Sequence, residues 1–122
     1  MTFVRYLETA RNVAWIPSVD VYEEAERYVV RADLPGVSPD DIEITADAGV
    51  LTIKGERKAS TQQTENSYQR VERVAGNFVR RFTLPEAAQS DAIKATHVNG
   101  VLELSIPKQV KPEARRIKVE AA

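Results

Sequence analysis

The feature that most constrains this chain is a period of two. Val19 and Val21 alternate with Asp20 and Tyr22, and Tyr28, Val30, Ala32 and Leu34 share one face against Val29, Arg31 and Asp33. Pro35-Gly36 then breaks the pattern. Ile42 and Ile44 alternate with Asp41, Glu43 and Thr45, and a turn at Asp47-Ala48-Gly49 leads to Leu51 and Ile53, which again face one way. Gly76 opens a stronger run in which Phe78, Arg80, Phe82 and Leu84 share a face until Pro85. Ile93 and Ala95 begin another, and Leu102, Leu104 and Ile106 follow up to Pro107. Alternation of this kind makes half-buried strands, apolar side inward and polar side outward. Asn99-Gly100 is the strongest hairpin signal, because a type I′ turn needs positive φ at both central residues.

With a short strand over residues 67–71, about eight strands are expected, separated by turn signals at regular spacing. Two packed antiparallel sheets are the natural architecture: an all-β, immunoglobulin-like antiparallel β-sandwich. The repeated Gly-Val-Leu at residues 49–51 and 100–102 reads as two core strands that each follow a glycine turn, not as a duplicated unit. Three parts are expected. Residues 1–15 form a short arm, 16–108 the sandwich and 109–122 an extended, charged tail. In the arm, Phe3, Leu7, Ala10 and Ala14 fall on one helical face, so it reads as a short amphipathic helix or a mobile arm. Trp15-Ile16-Pro17 ends it, since the residue before proline avoids the helical region. Residues 56–66 carry no apolar side chain larger than Ala59 and read as a long loop.

Composition narrows the function. The 122 residues fit one domain, large enough to bury a core without a staple. There is no cysteine, so disulfides and thiolate metal sites are excluded. The one histidine, His97, cannot build a nucleophilic triad with a second base or a zinc site, and reads as a surface or edge residue. Gly36, Gly49, Gly55, Gly76 and Gly100 are scattered, so no phosphate-cradling loop forms. The expectation is a protein that is not an enzyme and has no cofactor. Net charge is −1 with both signs mixed, which argues against a nucleic-acid partner. The densest basic cluster, Arg70, Arg73, Arg80 and Arg81, lacks outward aromatics, because alternation turns Phe78 and Phe82 inward. No apolar run approaches the ~20 residues of a membrane span. The first residues do not resemble a secretory signal, so a cytoplasmic protein is expected.

Four stretches resemble the small heat-shock protein (α-crystallin domain) family, and the long polar loop with a strand at its tip resembles the family's bacterial and plant form. The four are Ala-Asp-Leu-Pro-Gly-Val at 32–37, Gly-Asn-Phe-Val-Arg-Arg-Phe-Thr-Leu-Pro at 76–85, the A-x-x-x-N-G-V-L pattern at 95–102, and Ile-Lys-Val at 117–119. Order and spacing match over residues 16–119, and the arginine that marks the family's central strand falls on Arg80. The family's N-terminal arm is usually longer and richer in aromatics than the 15 or so residues here. The resemblance implies an ATP-independent holdase chaperone that binds unfolded client proteins and assembles as a strand-swapped homodimer and higher oligomers. A related cochaperone adaptor is the alternative; such modules lack the tail motif and the swap loop.

The resemblance also assigns roles. Ile117 and Val119 would be a two-pronged anchor docking on another dimer, against the alternative of a disordered tail with two incidental aliphatics. The receiving groove would lie between the strands of Ile42/Ile44 and Ile93/Ala95, residues that could equally be ordinary core. Tyr68, Gln69, Arg70 and Val71 would form the swapped strand, paired with the partner's strand near residues 18–22; a hairpin within one subunit is the other reading. Phe3 and Leu7 would offer apolar surface to clients. Arg80 lies on the inward face by alternation and so needs a carboxylate or carbonyls, unless a bulge turns it outward.

Overall fold

The computed structural model describes residues 5–7, 13–59, 74–109 and 117–121. Eight strands are present among them: β1 (Arg5–Leu7), β2 (Val19–Glu23), β3 (Arg27–Asp33), β4 (Ile42–Asp47), β5 (Val50–Arg57), β6 (Gly76–Thr83), β7 (Lys94–Val98) and β8 (Val101–Pro107). They form two four-stranded antiparallel sheets, ordered β1-β6-β5-β4 and β2-β3-β8-β7. The inward residues of both sheets make one core, in which Leu34, Leu51, Ile53, Phe78, Leu104 and Ile106 are fully buried. The expected alternation therefore sets the interior: β8 buries Leu102, Leu104 and Ile106 while its intervening residues stay half-exposed.

Turn chemistry closes the hairpins as the residues dictate. Asn99 (φ 53°) and Gly100 (φ 78°) both lie in the left-handed region, as a type I′ turn requires. Ala48 (φ 51°) and Gly49 (φ 77°) do the same between β4 and β5.

Four expectations are corrected. The helical reading of the arm fails over Arg5–Leu7, which pairs as a strand with Thr83–Arg81 on β6. Its apolar spacing fitted a helix, but a three-residue strand is set by its distant partner rather than by its own period. Glu56 and Arg57 belong to β5, not to the following loop, because their ladder to β6 continues as far as Arg57↔Gly76. Ile93 precedes β7, after a 3₁₀ turn at Ser90–Ala92. Val29 is fully buried although it lies on the outward face of β3. Its cross-strand neighbours are Tyr22 and Ser105; the guanidinium of Arg31 lies over the Tyr22 ring and Arg27 donates to the Ser105 hydroxyl. Long arginine stems cover apolar surface while their heads stay wet.

Gly55 sits in β5 opposite Ile42, and a Cβ there would run into the backbone carbonyl of Asp41. Gly55→Ala is expected to cost roughly 1–3 kcal/mol or more, as overpacking against a fixed backbone does. Gly49→Asn is the contrast. The space around Gly49 is open and Asn tolerates positive φ, so its urea midpoint should stay near that of the wild type.

Candidate functional site

In each sheet, strand order leaves particular strands at the edges. β4 ends the first sheet and β7 the second, and the 3₁₀ turn at Ser90–Ala92 leading into β7 touches β4. Ile42, Ile44 and Ile93 are partly buried and pack against the core from this region. Ala95, the fourth residue expected there, is exposed on β7. At the opposite end of the second sheet, β2 pairs with β3 on one side and forms an edge among the described residues.

Arg80 lies on the inward side of β6, and no bulge turns it out. The β5–β6 register is continuous from Val50↔Thr83 to Arg57↔Gly76, with Ile53 opposite Arg80. Its Nη1 donates to the carbonyl of Pro17 at 2.6 Å, and its guanidinium carbon lies 5.3 Å from the centroid of the Phe82 ring. Pro17 is itself fully buried, so this carbonyl is withdrawn from water and gains a charged donor in return. Arg80 thus pins the segment that leads into β2 against the other sheet.

A second junction went unread in the sequence. The Trp15 indole Nε1 donates to the carbonyl of Gly76 at 3.0 Å, and its ring tilts against Phe78 at 5.2 Å. The guanidinium carbon of Arg57 lies 4.1 Å from the centroid of the Trp15 ring. Arg57 also donates to the carbonyls of Val74 and Pro35. A single tryptophan before Ile-Pro was a usable signal; Arg57, one charge in a polar run, gave none.

The tail is held at its root. The Lys108 and Gln109 amides donate to the carbonyls of Glu26 (2.9 Å) and Ala87 (2.6 Å). Lys108 Nζ pairs with Glu23 at 2.5 Å and lies 5.1 Å from the Tyr28 ring centroid. Beyond it, Ile117 and Val119 are 83% and 90% exposed, two residues apart in a segment without secondary structure. Phe3 and the expected swap strand Tyr68, Gln69, Arg70 and Val71 lie outside the described residues, and Leu7 is placed by its backbone in β1.

The outer face of the second sheet carries paired charges. Arg27 Nε donates to Glu24 and Arg31 Nε donates to Glu103, and these hydrogen bonds raise the pKa values of both guanidinium groups. His97 is partly buried, with Nε2 3.3 Å from the Leu34 carbonyl. The described residues hold no cluster of three metal-ligating side chains, and no helix among them is long and apolar enough to cross a membrane.

Known proteins share this arrangement. The profile of the Hsp20/alpha crystallin family matches residues 20–120. The 18.1 kDa class I heat shock protein of Arabidopsis thaliana is 40% identical over 119 residues, covering 93% of this chain and 74% of its own length. Small heat shock protein C2 of Rickettsia felis is 35% identical over 119 residues, covering 98% of this chain and 76% of its own length. Among solved structures, a small heat-shock protein from Xylella fastidiosa matches with a TM-score of 0.78 and 45% identity, over 88% of this chain and 99% of that one. A two-sheet antiparallel sandwich, a profile that spans most of the sequence and relatives at this identity lead to one statement: the chain belongs to the Hsp20/alpha crystallin family.

Proposed function

We propose that this protein is an ATP-independent holdase chaperone, which binds the apolar surface of unfolding proteins in the cytoplasm and keeps them from aggregating. The observation that carries this reading is the exposure of Ile117 and Val119, in a chain whose family is that of the small heat-shock proteins. Exposed aliphatics on a soluble sandwich mark a contact surface rather than a core. The pair docks against the Ile42, Ile44 and Ile93 edge of a neighbouring subunit. When the tail vacates that edge, the edge and the arm with Phe3 and Leu7 become apolar surface for clients. The strand of Tyr68, Gln69, Arg70 and Val71 crosses to the partner's β2, giving a strand-swapped homodimer that assembles further. Main-chain hydrogen bonds along β2 would cover an edge that otherwise invites aggregation.

The test is heat-induced light scattering of a model client without nucleotide. Scattering is expected to fall as the protein is added. Scattering that stays unchanged at excess protein would reject the holdase and favour an adaptor role for the same sandwich.

A further inference from the structure

Four chain segments meet at one guanidinium. Arg57 ends β5, and Val74 lies two residues before β6 begins. Arg57 Nε and Nη2 donate to the Val74 carbonyl at 2.8 and 2.5 Å, closing a neck between the end of β5 and the approach to β6. Nη1 donates to the Pro35 carbonyl at 3.1 Å, in the turn after β3. The face of the same group carries the Trp15 ring, the root of the arm, at 4.1 Å. A guanidinium is planar, so its edge donates in plane while its face stacks; an ammonium cannot do both.

We propose that Arg57 is a positioning residue that couples the arm to the neck, so that release of Trp15 and opening between Arg57 and Val74 are one event. The in-plane bonds lie at the surface, so if the ring leaves, the guanidinium loses the face that fixes its plane and those bonds are held less firmly. If the Val74 bonds break, the guanidinium no longer lies where the ring can stack. Gly76 tightens the same coupling: its φ is +121°, and a Cβ there would meet the Ala14 Cβ at 2.6 Å. The arm therefore packs on the start of β6, just past the neck, where a side chain would hold it off. The consequence rests on the proposed function: the client-binding arm and the swapped strand, which lies between Arg57 and Val74 in sequence, loosen together.

Trp15 is the only tryptophan, so its emission reports the arm in the full chain. Amide hydrogen exchange at Glu56, Arg57, Gly76 and Asn77, the end of the β5–β6 ladder, reports the neck. Arg57→Lys keeps the charge and loses the fork; it is expected to shift Trp15 emission and speed neck exchange. Trp15→Leu removes the aromatic face but leaves Arg57 and its acceptors in place, yet should also speed the neck by roughly 3- to 30-fold, the factor a cation–π contact carries. The double variant should be no faster than the quicker single one. Neck amides at wild-type rates in Trp15→Leu, or effects that multiply in the double variant, would overturn the coupling. So would equal acceleration at Val30 and Leu104, which would mean general loss of stability. Client binding plays no part in these readouts, so failure of the holdase reading and failure of the coupling are separate results.

Discussion

Arg80→Ala is expected to destabilise the sandwich far more than Arg81→Ala. The two arginines are adjacent on β6 but face opposite ways: Arg80 is half-buried and reaches the Pro17 carbonyl, while Arg81 is exposed opposite Thr52. Truncating Arg80 removes a charged donor from a carbonyl on a fully buried residue and strips the guanidinium from beside Phe82. Hydrogen bonds to charged groups and the accompanying packing together make a loss of ~2–4 kcal/mol the expected scale. A surface arginine on a strand usually changes stability by less than ~0.5 kcal/mol. Arg80→Lys should recover only part of the loss, because an ammonium on a shorter reach lacks the fork and the flat face. Urea denaturation of the three variants decides the matter. Equal midpoints for Arg80→Ala and Arg81→Ala would mean that the Pro17 contact does not hold β2 in place.

The same comparison marks where sequence reading succeeds and where it stops. Period two assigned the interior because each strand buries one face, so Leu51, Ile53, Phe78 and Leu104 declared their side without knowledge of their partners. It placed Arg80 inward for the same reason. It could not supply the acceptor, because Pro17 is 63 residues away in sequence and offers a backbone carbonyl, which every residue has. Edge position was equally invisible. Ala95 continues an alternation that resembles a half-buried strand, but β7 closes its sheet and that side chain is exposed. Arg5–Leu7 shows the opposite failure: three residues have too little period of their own, and pairing with β6 decides their state. Arg57 was lost because its role comes from closing a neck between two distant points, which no local pattern records.

Changing Ile117 and Val119 together to Ala is expected to strip higher assemblies down to dimers. The two side chains are 83% and 90% exposed, so the subunit itself gains nothing from them. Residues two apart in an extended chain point the same way, ~7 Å apart, which lets both enter one groove. Ten residues beyond Pro107 reach at most ~33 Å, far enough to cross to a neighbour. Burying two such aliphatics contributes ~3–5 kcal/mol before ordering costs. Much of that is offset by the freedom a charged tail loses on docking. Each contact is then weak, and a large assembly depends on many acting at once. The dimer should survive the change, because the proposed swapped strand uses β2, a different edge from that of Ile42 and Ile44. The tail root should survive as well, since Lys108 is held by Glu23, Glu26 and Tyr28 independently of anything downstream. Multi-angle light scattering or native mass spectrometry reads the outcome. A mass distribution identical to that of the wild type would show that the tail does not hold the assembly together. Loss of the dimer along with the higher species would show that the two interfaces are not separate.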